Sequence, residues 1–422
     1  MKPGKKILLS IVMLIFTNSC VSGLNDTRLT GREYEFAWRF LDVFFLFRDR
    51  LPSDPYDFSN PSELYASVEE PFTVYYPPDE AREMTDLLST SSAGFGVRLD
   101  SVGPGFVIEE VFPNSPAEDA GLQENDTIVE IDGREVSGMS PEQLSSLIRG
   151  EVGETRTVTV KRDSEVLNFT VTLDTFLSPS VFTDSLEQDI AYIYISAFFS
   201  QTIQQGGTAA EFNNALDDTE WAQMTIIDLR NNPGGEVQQV IPVISQFMSP
   251  QTPIIQTTER VPVQNSDSGE TLERTWTTID IEAKGIDRDF IILVNEATAS
   301  ASEIMLSALH ENRPDITTIG VTTFGKARGQ AMTLTPDSGL AVVTYAMLRP
   351  INGEPYDMSG IDPDITVQFG EDPLEVALEV ARRELGRYSF ASAQSILRRA
   401  RHHHSALMLH NRRPMTIIHV NP

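Results

Sequence analysis

Thr225-Ile226-Ile227-Asp228 runs into Leu229-Arg230-Asn231-Asn232-Pro233-Gly234-Gly235, and Phe290-Ile291-Ile292-Leu293-Val294-Asn295 runs into Glu296-Ala297-Thr298-Ala299-Ser300-Ala301-Ser302-Glu303-Ile304. In both stretches a short run without apolar-polar alternation ends in small and polar residues. A strand of that kind is buried on both faces, and here each feeds a helix. Working outward, Ala191 to Ile195 reads as a further strand and Gly207 to Leu216 as a helix; a second helix follows Gly235 and a third spans Ser300 to His310. Residues 176–370 therefore read as an α/β core with parallel strands.

The flanks have different patterns. From Gly94 to Leu173 five short β-like runs alternate with turn signals, and two short helical stretches, Ser115 to Gly121 and Ser140 to Ile148, lie between them. That is one small β-rich domain with two helices. Before it, Tyr34 to Phe47 is crowded with aromatics and free of Gly and Pro, which predicts a largely buried N-terminal helix. Pro77-Pro78 with Asp79-Glu80 marks a helix start, and Ser89 to Ala93 reads as a small-residue linker. Asp372 to Leu385 has the apolar spacing of a packing helix. Beyond it the chain is basic and rich in histidine. The predicted boundaries are a signal peptide at 1–19, an N-terminal helical region and linker at 20–90, the β-rich domain at 91–175, the core at 176–370 and a C-terminal helix with a His/Arg tail at 371–422.

Composition narrows the function. The 422 residues are 40% apolar, enough for several domains with real cores. A formal charge of −29 repels phosphate backbones, so no nucleic-acid partner is expected. There is no CxxC pair and no His/Cys cluster in the body of the chain, so no metal or cofactor is expected. His402-His403-His404 would point in three directions on a helix, about 100° apart. The chain opens with Lys2, Lys5 and Lys6, then an apolar run from Ile7 to Phe16, which has the form of a secretory signal and is too short for a membrane-spanning helix. Cys20, the one cysteine, stands where a lipoprotein signal places its lipidated residue, although Thr17 replaces the usual Leu three positions earlier. Cleavage after Val21-Ser22-Gly23 is the rival reading. Either way the mature protein is expected outside the cytoplasm.

The two opening stretches also carry the chemistry. A glycine pair at the end of a buried strand lets backbone N–H groups face a ligand with no Cβ in the way. Ser300 falls at a strand-to-helix junction, where unpaired N–H groups and the positive helix end favour a developing oxyanion. Such a nucleophile needs a base. The one histidine outside the tail, His310, lies ten residues along the same helix, about 15 Å away at 1.5 Å per residue. Desolvated lysine is the alternative. Beyond the signal the lysines are Lys161, Lys284 and Lys326; Lys161 belongs to the small domain and Lys284 to a polar approach to a strand. Lys326, in Thr323-Phe324-Gly325-Lys326-Ala327-Arg328-Gly329-Gln330, is the best placed.

In the small domain, Gly94-Phe95-Gly96-Val97, Pro116-Ala117-Glu118-Asp119-Ala120-Gly121-Leu122 and Asp126-Thr127-Ile128-Val129-Glu130-Ile131-Asp132-Gly133 together resemble a PDZ domain. Adding Glu70-Pro71-Phe72-Thr73-Val74-Tyr75-Tyr76, Tyr192-Ile193, Ile195-Ser196 and Gly360-Ile361-Asp362-Pro363-Asp364-Ile365, the chain over roughly residues 65 to 370 resembles the C-terminal processing peptidases. These are extracytoplasmic serine endopeptidases with a PDZ domain before a crotonase-like core. The resemblance implies Ser300 as nucleophile, Lys326 as general base and Gln330 as its orienting partner. It implies oxyanion donors at Gly235, beside Gly234, and at Ala301. In the PDZ domain it implies a carboxylate loop at Gly94, Phe95, Gly96 and Val97, with glycine there to keep the approach to a substrate tail open, and a groove floored by Leu144 and Leu147. Ala327 and Gly329 depart from the family pattern, as does Thr298. Substrates would be unfolded or C-terminally exposed proteins, and a lipid anchor would tie the enzyme to a membrane. Open alternatives are Ser302 as nucleophile, a plain strand-surface role for Gln330, a purely structural Gly94 loop, Asp228 and Arg230 as a mere salt-bridged strand end, and a catalytically inactive peptide-binding scaffold.

Overall fold

The computed structural model describes residues 31–87, 91–102, 105–263 and 268–386. The signal region, Cys20 and the His/Arg tail lie outside the described residues.

The expected core is a six-stranded sheet in the order Val181–Glu187, Ile190–Ile195, Met224–Asp228, Asp289–Val294, Thr317–Gly320 and Ile365–Thr366. The first pair is antiparallel and the rest are parallel, with Ile193, Ile227, Ile292 and Thr318 in register. Successive residues point to opposite faces, and both faces are covered. Ile193, Ile227 and Ile292 pack with the helices Gly207–Asp218, Val237–Ser245 and Ala301–Asn312. Tyr192, Ile226, Ile291 and Leu293 pack on the opposite side with the helix Pro373–Glu384. That is why these strands are apolar at nearly every position.

A second sheet was not anticipated. Val74–Tyr76, Leu340–Arg349, Pro253–Pro262 and Gly269–Thr277 form an antiparallel sheet in that order, and Arg328–Leu334 also pairs with Leu340–Arg349. Of its strands only Val74–Tyr76 runs into a helix, Pro78–Leu87, and Gly269–Thr277 is largely exposed. Parallel pairing alone thus describes only part of residues 176–370. The N-terminal helix, Arg32–Phe44, packs on this sheet through Tyr34, Phe40, Leu41 and Phe44 against Ala331, Ala341 and Val343. It stops short of Phe47 because the backbone turns extended at Phe45 and Leu46 N–H donates to Thr344 O at 3.0 Å. A helix starts at Pro78, as the sequence predicts.

The small domain has the strands Val97–Val102, Gly105–Val111, Thr127–Ile131, Thr155–Arg162 and Glu165–Thr172, with Arg134–Glu135 added beside Thr127–Ile131. Its helices are Pro116–Ala120, capped by Ser115, and Pro141–Ile148, which begins with a Ser140/Gln143 capping box. The expected linker is partly a strand. Ser91–Gly94 pairs antiparallel with Asp174–Leu177, so the chain zips together where it enters and leaves the domain.

Candidate active site

At the carboxyl end of Met224–Asp228, Asp228 is fully buried and forms a forked ion pair with Arg230. Tyr192 Oη donates to the same carboxylate at 2.6 Å. Burial opposes the Arg230 charge, but Asp228 outweighs it and raises the guanidinium pKa. The pair is therefore an interior brace for the loop that follows, more than a strand-end salt bridge. Asn232, also fully buried, extends the brace in three directions. Its Nδ2 donates to Ile195 O, its Oδ1 accepts Gly234 N–H and its carbonyl accepts Ala299 N–H, at 2.9, 2.9 and 3.0 Å. No role for Asn232 had been read from the sequence.

The glycine pair is dictated by close approach. Gly235 has φ 140°, and a Cβ there would lie 2.2 Å from Phe198 O; a Cβ at Gly234, φ 99°, would lie 2.7 Å from Ala301 N and 2.8 Å from Ser300 Cβ. Gly234 therefore presses directly against the serine loop, and Gly235 against the backbone of Phe198. Ser300 itself is a non-glycine residue at φ 57°, ψ −115°, immediately before the helix Ala301–Asn312. This is a strained strand-turn-helix elbow, and Ser300 is half-buried in it. Thr298, one departure from the family pattern, is built into the turn: it is buried and its Oγ1 donates to Leu229 O at 2.8 Å. Ser302 is fully buried with Oγ toward Asn232 O at 3.3 Å, which makes it a packing residue. Among the described residues, the N–H groups of Gly235 and Ala301 have no acceptor.

Glu303 joins this loop to the lysine loop. One carboxylate oxygen accepts from Ser300 N–H at 2.9 Å and Lys326 N–H at 2.8 Å; the other accepts from Thr323 Oγ1 and Gly325 N–H, both at 2.6 Å. Four donors explain how a fully buried carboxylate is tolerated. Lys326 Nζ donates to Gln330 Oε1, and Gln330 Nε2 donates to Phe72 O at 2.6 Å, so Gln330 is not a plain surface residue. Burial lowers the Lys326 pKa to about 8 from an ordinary 10.5, against the opposing pull of Glu70 and Glu303. Among the described residues no hydrogen bond joins Ser300 Oγ to Lys326 Nζ. The other candidate bases considered lie elsewhere: Lys284 pairs with Asp217 at 2.6 Å, and His310, near the far end of the serine helix, contacts Thr318 Oγ1 at 3.1 Å. No cluster able to hold a metal ion occurs among the described residues.

The sequence model of peptidase family S41 matches residues 189–367, and a PDZ domain model matches residues 107–162. A carboxyl-terminal-processing protease of Picosynechococcus sp. is 30% identical over 335 residues, covering 76% of this chain and 75% of that protein. The chain belongs to the carboxyl-terminal-processing proteases of peptidase family S41. Carboxy-terminal processing protease CtpA of Bacillus subtilis is 29% identical over 309 residues, covering 72% of this chain; the chain spans 62% of the length of that relative. A solved structure of a putative S41 protease from Bacteroides fragilis has the same fold, with a TM-score of 0.53 at 17% identity, covering 82% of this chain and 96% of that one.

In this family member's small domain the loop from Gly94 to Val97 has its own packing reasons. A Cβ on Gly96, φ 75°, would lie 2.3 Å from Ser115 Cβ, so packing against the helix cap by itself requires glycine there. Phe95 is buried, and Phe95 O accepts Ala117 N–H at 2.8 Å. Leu144 has no exposed surface and sits in the domain core, whereas Leu147 is half-buried. Of the two expected floor residues, only Leu147 is open to contact without rearrangement. In the active-site region, Glu303→Gln should destabilise the fold by about 2–4 kcal/mol, because an amide NH2 would face N–H donors. Chemical denaturation of the variant beside wild type measures it; an unchanged midpoint would contradict the role given to this carboxylate.

Proposed function

We propose that this chain is an extracytoplasmic serine endopeptidase that cuts proteins near their C-terminus, with Ser300 as nucleophile and Lys326 as general base. The observation that carries this reading is a lysine whose pKa burial brings to about 8, tied through Glu303 to the loop that presents a strained serine. Ser300 Oγ attacks the scissile carbonyl carbon and its proton passes to the neutral Lys326 amine. The oxyanion is met by the N–H groups of Gly235 and Ala301, and the resulting ammonium protonates the leaving amine. Water, deprotonated by the same amine, then hydrolyses the acyl-enzyme. Lys326 must rotate from Gln330 toward Ser300, and geometry of this kind commonly tightens only with substrate bound.

The PDZ domain would take the free carboxylate of the substrate at the backbone of Phe95 to Val97. Cys20 would carry lipid, and residues 1–19 would be removed on export. The domain boundaries read from the sequence fit this division of labour.

Ser300→Ala, Lys326→Ala and Lys326→Arg should each lower turnover of an unfolded protein by about 10³-fold or more, since an arginine stays protonated. Activity should rise about tenfold per pH unit below 8 and then level off. The same shift has a stability sign. The unfolded lysine binds its proton up to about 10.5 and the folded one only to about 8, so wild-type stability rises with pH between these values. Lys326→Met should therefore melt higher than wild type at pH 7, by a margin that closes toward pH 10.5. Retained turnover in Lys326→Ala would refute the base assignment.

For tail recognition, an apolar-ended peptide with a free carboxylate should bind at least about tenfold more tightly than its amide, since each charge-assisted N–H bond contributes about 1.5–3 kcal/mol. Equal affinities by calorimetry would count against the carboxylate loop. For anchoring, the wild type expressed in a lipoprotein-processing host should enter the detergent phase and Cys20→Ala should stay in water. Both proteins in the aqueous phase would instead indicate ordinary cleavage.

A further inference from the structure

We propose that Phe72, remote from the protease core in sequence, is a positioning residue for Lys326: its carbonyl orients the Gln330 amide and its ring closes the lysine amine off from water. The inference rests on the assignment of Lys326 as base. An amide has donors at one end and an acceptor at the other. With Gln330 Nε2 held by Phe72 O at 2.6 Å, the oxygen end faces Lys326 Nζ. The flipped amide would set its NH2 against the amine's own N–H groups and two carbonyl oxygens against each other. One N–H of the amine is thereby committed to Gln330, and the lone pair of the neutral form must point elsewhere.

The ring completes the arrangement. Its centroid lies 5.6 Å from Lys326 Nζ, and it packs edge-on against Phe324 at 6.5 Å. Phe72 is held in place by its neighbours. Glu70, two residues earlier, has a fully buried carboxylate that accepts from Arg328 and from the hydroxyls of Thr73 and Thr344, both at 2.6 Å. Two residues later the chain enters the strand Val74–Tyr76. Phe72 is thus fixed between a buried clamp and a sheet, and is itself half-buried.

The ring acts on the amine with two opposite signs. Its π face favours the ammonium, and its bulk excludes the water that solvates it. Glu70 from the clamp and Glu303 from the serine helix also favour the ammonium, while Arg328, paired with Asp357 at 2.8 Å, adds a positive charge on the same ring. The net pKa direction is downward with burial as the leading cause, so exclusion of water outweighs both carboxylates.

The test is the pH dependence of kcat for the full chain on an unfolded protein substrate. Phe72→Ala should move the basic limb up by one unit or more, so that kcat at pH 7 falls about tenfold per unit while KM changes little. Phe72→Leu restores an apolar cover without a π face and should keep the limb at or below its wild-type position. An unmoved limb in a Phe72→Ala protein that is folded by circular dichroism would overturn the proposal, as would equal upward shifts in both variants. If Phe72→Ala does not fold, Phe72→Gln, which lays a polar amide over the amine, should raise the limb instead, and no shift there would overturn it as well. Turnover that survives Lys326→Ala is a separate failure, of the base assignment itself, and the role of Phe72 falls with it.

Discussion

The Glu303 carboxylate is the constraint on which the rest of this site depends. It is a buried anion to which, among the described residues, no cation is bonded, and its four hydrogen bonds come from the two loops that must meet. Removing such a group from water is tolerable only when every lone pair finds a donor. The donors are Ser300 N–H on one loop and Thr323, Gly325 and Lys326 on the other, so satisfying the charge and assembling the site are the same event. A serine elbow and a lysine 26 positions apart in sequence thereby share a single oxygen atom.

Around that link, strain and close packing do complementary work. Ser300 at positive φ is unfavourable by itself. The turn persists because Thr298, Asn232 and the helix Ala301–Asn312 hold it on three sides, and because Gly234 admits its backbone to within contact of the serine. The Asp228–Arg230 pair anchors the base of the same loop in the interior. Among the described residues the N–H groups of Gly235 and Ala301 find no acceptor, and an acceptor from outside would be welcome there.

The site also draws on three separate parts of the architecture. Ser300 and the glycine pair sit at the carboxyl ends of parallel strands, where helices begin and backbone donors face outward. Lys326 and Gln330 come instead from the entry and first turn of an antiparallel strand in the second sheet. Phe72 comes from the N-terminal region, just before a strand that pairs with Leu340–Arg349 in that second sheet. The lysine is desolvated because these surfaces converge on it, and its lowered pKa is a property of the convergence.

Much of this protein was legible without coordinates. Uninterrupted apolar runs identified three of the parallel strands, Ile190–Ile195, Met224–Asp228 and Asp289–Val294, because burial on both faces suppresses polar residues, whereas the short strands Thr317–Gly320 and Ile365–Thr366 were not recognised; glycines and small residues at the strand ends marked the loops because close backbone approach excludes side chains. Elimination of distant histidines left Lys326, since helix rise is fixed. What the sequence could not decide was everything that depends on distant residues meeting. The second sheet was missed because its strands, Val74–Tyr76, Pro253–Pro262, Gly269–Thr277, Arg328–Leu334 and Leu340–Arg349, come from distant parts of the chain and pair only in the fold, and part of the supposed linker, Ser91–Gly94, became a strand only through its partner at Asp174–Leu177. That the missing Cβ of Gly96 makes room for Ser115 could not be read from the chain alone. Asn232, Glu303 and Phe72 gave no local sign of their roles, because a hydrogen bond across 20 or 250 residues has no signature in periodicity or composition. Residue types and their local order were set by the chain itself; which of them touch, and therefore how acidic a lysine becomes, was set by tertiary packing, because desolvation exists only where separate surfaces close together.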